Sequence, residues 1–389
     1  MRTGAMRVGV VLPLTEYPWK QPSYLEIRDL AIQAEIAGFD SVWVFDHLLF
    51  RGPGEQTEGA WESWTTLSAL AEATSRVTLG TFVLCAAFRH PAVLAKMAVT
   101  LDEISRGRLV LGLGAGWHRP EFDAFGLPFD HRAERLAEQL QIITALLRTG
   151  HADHDGRFHQ MRDAELRPGP RRRIPVLVGG GGPRLLRLTA RYADLWNTCW
   201  YGAPPPVGPP PLDGPLDDPS GSAEEASAAA SPWAGDLVRV LAAARSACAA
   251  EARDPATLGV TVGVNVTPLT PGHPSPHPPP DYPMLAGPPD VIAAGLRRYE
   301  ALGVDHVICN LNPHHPQAQR LLATALSLYR ADDNAGPARE PALPPPTAAA
   351  AAPAGSPTDR RLDTRDTPRS AADVVDDRRG PRPAVPGRR

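Results

Sequence analysis

Eight short apolar runs alternate strictly with eight amphipathic ones between residues 8 and 329, and this alternation constrains the fold more than any other feature of the chain. The runs with strand character are 8–12, 41–45, 77–84, 109–113, 175–179, 194–198, 259–266 and 306–310, each apolar and bounded by turn residues. Helical spacing occupies 23–37, 61–74, 91–104, 132–148, 184–192, 235–252, 288–302 and 317–329. Strand–helix–strand units of this length are right-handed parallel crossovers, so all the strands point one way and end on one face. Eight such units predict an α/β fold of the (β/α)8 TIM-barrel type. A doubly wound open sheet would place a glycine fingerprint after the first strand, where this chain has Leu12-Pro13-Leu14.

Three segments exceed a minimal barrel. Residues 151–167 read as a hairpin inserted around Asp155-Gly156, and 203–232, rich in Pro, Gly, Ala and Ser, as a mobile loop after the sixth strand. From 331 to 389 no apolar period is sustained, so the expected organisation is a barrel over 1–330 followed by a disordered tail.

The formal charge of −3 supplies no field that would gather nucleic acid or an anionic membrane, which leaves a small molecule as the expected partner. Cys85, Cys199, Cys248 and Cys309 are widely spaced and form no CxxC pair, so buried reduced thiols are expected rather than disulfides or a zinc site. There is no run of 18 apolar residues and no signal-like N-terminus, and a cytoplasmic location is expected.

Chemistry in a parallel barrel sits where the strands end. Asp46-His47 follows the second strand, Cys85 to Arg89 the third, Gly114 to Trp117 the fourth, and Gly179-Gly180-Gly181-Gly182 the fifth. The four glycines run directly into a helix, where free amides of the first turn suit a phosphate. His47 can exchange a proton with a bound ring, and Asp46 can fix its tautomer or a neighbouring loop. Gly114 and Gly116 would leave room for a flat ring, with Trp117 and His118 flanking a substrate. Neither His151-x-x-His154 nor His314-His315 has an obvious third ligand, so no metal is expected. Lys20 and Lys96 are the only lysines, and neither stands at a strand end, which argues against Schiff-base chemistry.

Five ordered motifs then carry a resemblance: GVVLP, AEIAGFDSVWVFDHL, the long segment from Val77 to Trp117, IPVLVGGGG and ARYADLWN. Together they resemble the bacterial luciferase-like superfamily, in particular its coenzyme F-420-dependent branch, strongly over residues 6–200 and moderately over 287–329. The resemblance implies a flavin or deazaflavin at the C-terminal mouth, its ring against the third strand at Thr81, Phe82 and Val83, with a non-proline cis peptide at Phe82-Val83. It implies further that His47 is the active-site histidine, Asp46 its acidic neighbour, and Gly180 and Gly181 part of the phosphate loop. Sugar-phosphate dehydrogenases of the branch carry a glutamate where this chain has Trp117. Glu121, one helical turn on, is then either a substitute acid or the start of a helix.

The resemblance thus points to an F-420-dependent oxidoreductase of unidentified small substrate, with Arg51, Arg89 and Arg119 available for the anionic tail of the cofactor. The alternatives are an FMN-dependent monooxygenase using molecular oxygen and a non-catalytic flavin-binding barrel. Relatives of this kind are often homodimers.

Overall fold

The start of the first helix shows local signals becoming structure. Ser23 Oγ accepts from the Glu26 amide at 3.3 Å, and a Glu26 carboxylate oxygen accepts from the Ser23 amide at 2.9 Å. This capping box opens α1 (Tyr24–Ile36), whose Ile27, Leu30, Ala31 and Ala34 are buried. The computed structural model describes residues 5–16, 21–203, 237–270 and 283–331; the expected loop at 203–232 and tail at 331–389 lie outside these, apart from Ala203 and Ala331.

Eight parallel strands pair in chain order: β1 (Arg7–Val11), β2 (Ser41–Val44), β3 (Thr78–Thr81), β4 (Leu109–Gly114), β5 (Val176–Gly179), β6 (Leu195–Tyr201), β7 (Gly259–Pro268) and β8 (His306–Leu311). Because β8 pairs with β1 and β4 with β5, the ring closes as the (β/α)8 barrel that the alternation predicts. Around it lie α2 (Ser63–Ala73), α3 (Pro91–Ile104), α5 (Arg132–Thr149), α6 (Pro183–Tyr192), α7 (Leu237–Ala250), α8 (Pro289–Ala301) and α9 (Pro316–Ala331). A further short helix, α4 (Arg119–Phe125), follows β4 at the C-terminal face. No helix among the described residues is long and apolar enough to cross a membrane.

A large apolar layer fills the space between strands and helices, while Val11, Trp43, Phe82, Val110, Leu177 and Ile308 pack separately inside the lumen. Trp43 lies against β3 there: a Cβ on Gly80 would collide with its indole ring. Trp43 Nε1 donates to Ser41 Oγ at 2.7 Å, and His306 Nε2 lies 2.8 Å from the same oxygen. These bonds satisfy polar atoms that water cannot reach.

The third strand is interrupted, not continuous over 77–84. Gly80 pairs with Val110, but Leu84 pairs with Leu113, so four steps along one strand match three along the other. That extra residue is a β-bulge, and the Phe82-Val83 peptide within it is cis, as the family resemblance implies. A second non-proline cis peptide joins Cys199 and Trp200, where the register between β6 and β7 also shifts. Strands His151–Asp155 and Gln160–Glu165 form an antiparallel hairpin whose tip is pinned to α5: Glu138 accepts from the amides of Arg157 at 2.7 Å, Phe158 at 3.0 Å and His159 at 2.9 Å.

Candidate active site at the C-terminal mouth

Asp46 and His47 are neighbours in sequence at the end of β2, yet their side chains serve different contacts. Asp46 is buried and accepts from Ser63 Oγ at 2.6 Å, the Cys85 amide at 2.9 Å, and the Arg89 fork at 2.7 and 3.0 Å. Arg89 also bonds to Glu62 at 2.5 Å. Burial works against the guanidinium charge, but the bonds to Asp46 and Glu62 outweigh it and raise the pKa above its ordinary value. Asp46 therefore ties the exits of β2 and β3 together and does not orient His47. Arg89, expected to receive an anionic tail, is committed to this clamp.

His47 turns toward α4. Its Nδ1 lies 3.1 Å from Glu121 Oε1, and the other carboxylate oxygen accepts from the Leu48 amide at 2.9 Å. Glu121 is 1% exposed, so both of its protein donors act in a medium of low polarity. It lies in the first turn of α4, where the helix favours negative charge, and it is thus both the start of a helix and the acid beside His47. Phe45, Phe50 and Trp117 surround the imidazole at centroid distances of 5.8, 4.3 and 5.5 Å. His118 Nε2 accepts from the Arg51 amide at 3.1 Å, and burial, opposed by Glu121, lowers its pKa. Trp117 is 52% exposed on the rim.

The floor of the mouth is built by the bulge. Thr81 Oγ1 accepts from the Gly112 amide at 2.8 Å and donates to its carbonyl at 2.9 Å, so this hydroxyl pins β3 to β4. Phe82 points into the lumen, edge-on to Trp43 at 6.0 Å and to Trp200 at 5.1 Å. Val83 lies across the glycines of the next two strands: a Cβ on Gly114 would come within 2.6 Å of Val83 Cγ2, and one on Gly179 within 3.2 Å. The space beside Gly114 is therefore taken by Val83, and that beside Gly116 by Cys85 Sγ and the Phe122 ring. These glycines admit protein atoms, not the flat ring expected there. Burial pushes the Cys85 thiol up to about 12, which removes it as a nucleophile.

Gly179, Gly180 and Gly181 lead to Gly182, the N-cap of α6. Gly180 has φ of +131°, and its carbonyl accepts from Trp196 Nε1 at 2.8 Å. A Cβ on Gly182 would meet nothing within 4 Å. On the opposite side, Asn265 and Asn310 of β7 and β8 and His314 beyond them bring amides and an imidazole to the mouth. Sequence reasoning weighed His314 only as a metal ligand and did not single out Asn265, Asn310, Phe45, Phe50 or Trp200. Trp200 and Asn310 stand near strand ends, a position that by itself would have marked them for inspection. Among the described residues, no group of three or more His, Cys, Asp and Glu side chains is arranged to hold a metal.

The chain is similar to known proteins in sequence and in fold. Pyrimidine monooxygenase RutA of Methylorubrum extorquens is 36% identical over 215 residues, 50% of this chain and 56% of the relative; that of Agrobacterium fabrum is 33% identical over 210 residues, 49% and 56%. The chain thus spans about half the length of the curated relatives it matches. An F-420-dependent secondary alcohol dehydrogenase solved with an F-420–acetone adduct superimposes with a TM-score of 0.62 at 18% identity, covering 84% of this chain and 99% of that one. Monooxygenase RslO1 from Streptomyces bottropensis gives 0.61 at 19% identity, covering 83% and 99%. At such identities the two structures speak for the fold alone. The family model for luciferase-like monooxygenases matches residues 6–206, and with the closed barrel, the bulged third strand and the histidine after the second, the chain belongs to that family.

Proposed function

We propose that this barrel transfers a hydride between coenzyme F-420 and a small organic substrate, with His47 handling the accompanying proton. The observation that carries this reading is the His47–Glu121 pair. Moving a hydride to or from a carbonyl carbon requires a proton at its oxygen, and a histidine fixed at a strand end suits that exchange. When bound, F-420 would supply hydride exchange at its deazaflavin ring.

The residues present fit such a ring. Val83, bedded on Gly114 and Gly179, offers an apolar ledge at the mouth, and the open side of Gly182 leaves the first turn of α6 approachable by a phosphate, beside Gly180 and Gly181. Glu121 holds Nδ1 of His47, which directs Nε2 to the proton exchange. Phe45 and Phe50 shield the imidazole from water, while Trp117 and His118 flank the substrate. Arg51 and Arg119, on the exposed rim, are the arginines for the anionic tail.

Identity of 36% with pyrimidine monooxygenases favours a second reading, in which FMN replaces F-420, molecular oxygen is the co-substrate and the substrate is a pyrimidine-like cyclic amide. Titrating the purified protein with FMN and with F-420 separates the two. The first predicts F-420 binding; tight FMN binding with oxygen consumption and no F-420 binding would overturn it in favour of the second.

A further inference from the structure

Strand alternation puts Asn265 and Asn310 in the top layer of the lumen. Ile308 belongs to the lumen cluster, and Asn310 follows it two residues later on the same face of β8. Gly263 of β7 faces the lumen too, since a Cβ there would lie 2.8 Å from Phe82 Cζ, and Asn265 is two residues beyond. The two asparagines are register partners.

Their amides are oriented by a chain of bonds with one consistent direction. Asn265 Nδ2 donates to the Pro283 carbonyl at 3.4 Å, which turns Asn265 Oδ1 toward Asn310. Asn310 Nδ2 donates to that oxygen at 3.0 Å, and Asn310 Oδ1 accepts from His314 Nε2 at 3.0 Å. Flipping either amide would set oxygen against oxygen. Burial lowers the His314 pKa, in keeping with a neutral imidazole whose Nε2 carries the hydrogen. Asn310 is half-buried, and its second Nδ2 hydrogen has no acceptor among the described residues.

We propose that Asn310, held in this orientation by Asn265 and His314, is a recognition residue of the mouth that donates a hydrogen bond to a ring carbonyl oxygen. The inference rests on the proposed redox function and deepens it, because a pyrimidine-dione edge is common to F-420, FMN and a cyclic-amide substrate. A hydrogen-bonding donor discriminates more sharply than an apolar wall, since leaving it unpaired has a cost.

The test uses the full chain with Asn310→Ala, which removes the donor, and Asn310→Asp, which replaces it with an acceptor of the same shape. Thermal unfolding checks that each variant is folded. FMN and F-420 are titrated by fluorescence, and uracil, as the substrate-ring probe, by calorimetry against protein saturated with the cofactor that binds. Cofactor Kd raised about fivefold in Asn310→Ala, and more in Asn310→Asp, assigns the carbonyl to the cofactor. Unmoved cofactor Kd with uracil weakened by about the same factor assigns it to the substrate. Cofactor Kd within about twofold of wild type in both variants, with uracil either unaffected or not bound by the wild type, overturns the inference alone. Wild-type protein that binds neither cofactor overturns the redox reading and this inference with it.

Discussion

At the scale of single residues, adjacent positions at the end of β2 divide structure from chemistry. His47 turns to a buried carboxylate and an aromatic surround. Replacing it with Ala should lower kcat by about 10²- to 10⁴-fold while cofactor Kd stays near wild type. Glu121→Gln, which leaves the imidazole but weakens its orienting bond, should give a smaller loss in kcat; steady-state turnover beside a binding titration checks both, and unchanged turnover of His47→Ala removes its catalytic role. Asp46 instead faces the guanidinium fork of Arg89, with side-chain exposures of 1% and 13%. Asp46→Ala leaves that cation with the more exposed Glu62 as its remaining carboxylate partner, and the expected loss of stability is about 1–3 kcal/mol. Urea unfolding measures it, and a loss under about 1 kcal/mol would show that the pair does not hold the two strand exits together.

At the scale of elements, the bulge in β3 and the glycines of β4 and β5 form one interlocking unit. A methyl group on Gly112 would strike the carbonyl oxygen of Thr81, whereas one on Gly114 meets only the Val83 side chain. Both Gly112→Ala and Gly114→Ala should destabilise by about 1–3 kcal/mol or more, as overpacked cores do, but adding Val83→Ala should rescue the second and not the first. Double-mutant unfolding cycles decide it; equal rescue of both would refute the interlock. The same unit marks how far the sequence could be read. Alternating apolar runs locate every barrel strand to within a few residues because hydrophobic periodicity is local. A bulge is not local: it depends on register with β4, so residues 77–84 read as one uninterrupted strand. Glycine identity at 112, 114 and 179 is visible in the sequence, but whether ligand or Val83 takes the vacated volume is decided only by packing. Likewise, Glu121 lies 74 residues from His47, and no spacing rule joins them. The amides at 265 and 310 carried no signal beyond standing near strand ends.

At the scale of the whole molecule, the barrel interior ties stability to pH. His306 is 4% exposed, and burial, reinforced by Arg7, holds its pKa well below the ordinary 6.5. In the unfolded chain it takes up a proton as pH falls through 6.5, while the native imidazole stays neutral, so its contribution is fully present above that pH and is lost on acidification. Asp102 works in the opposite sense: burial pushes its carboxyl up to about 6, so its contribution is lost as pH rises toward that value. Comparing wild type with His306→Gln isolates the histidine. The urea midpoint of wild type should fall more steeply between about pH 7 and pH 5 than that of the variant, and parallel curves would refute the assignment.

The indole inside the barrel has an optical consequence. Trp43 has 0% exposure and stands 6.0 Å from Phe82, whose peptide partner Val83 forms the ledge of the mouth. An indole in so dry a setting emits at short wavelength, and a planar chromophore resting on that ledge would lie within energy-transfer range of it. The eight tryptophans of the chain, with Trp43 and the equally buried Trp196 among them, thus give an intrinsic emission whose dimming on cofactor addition would report occupancy of the mouth without any added label.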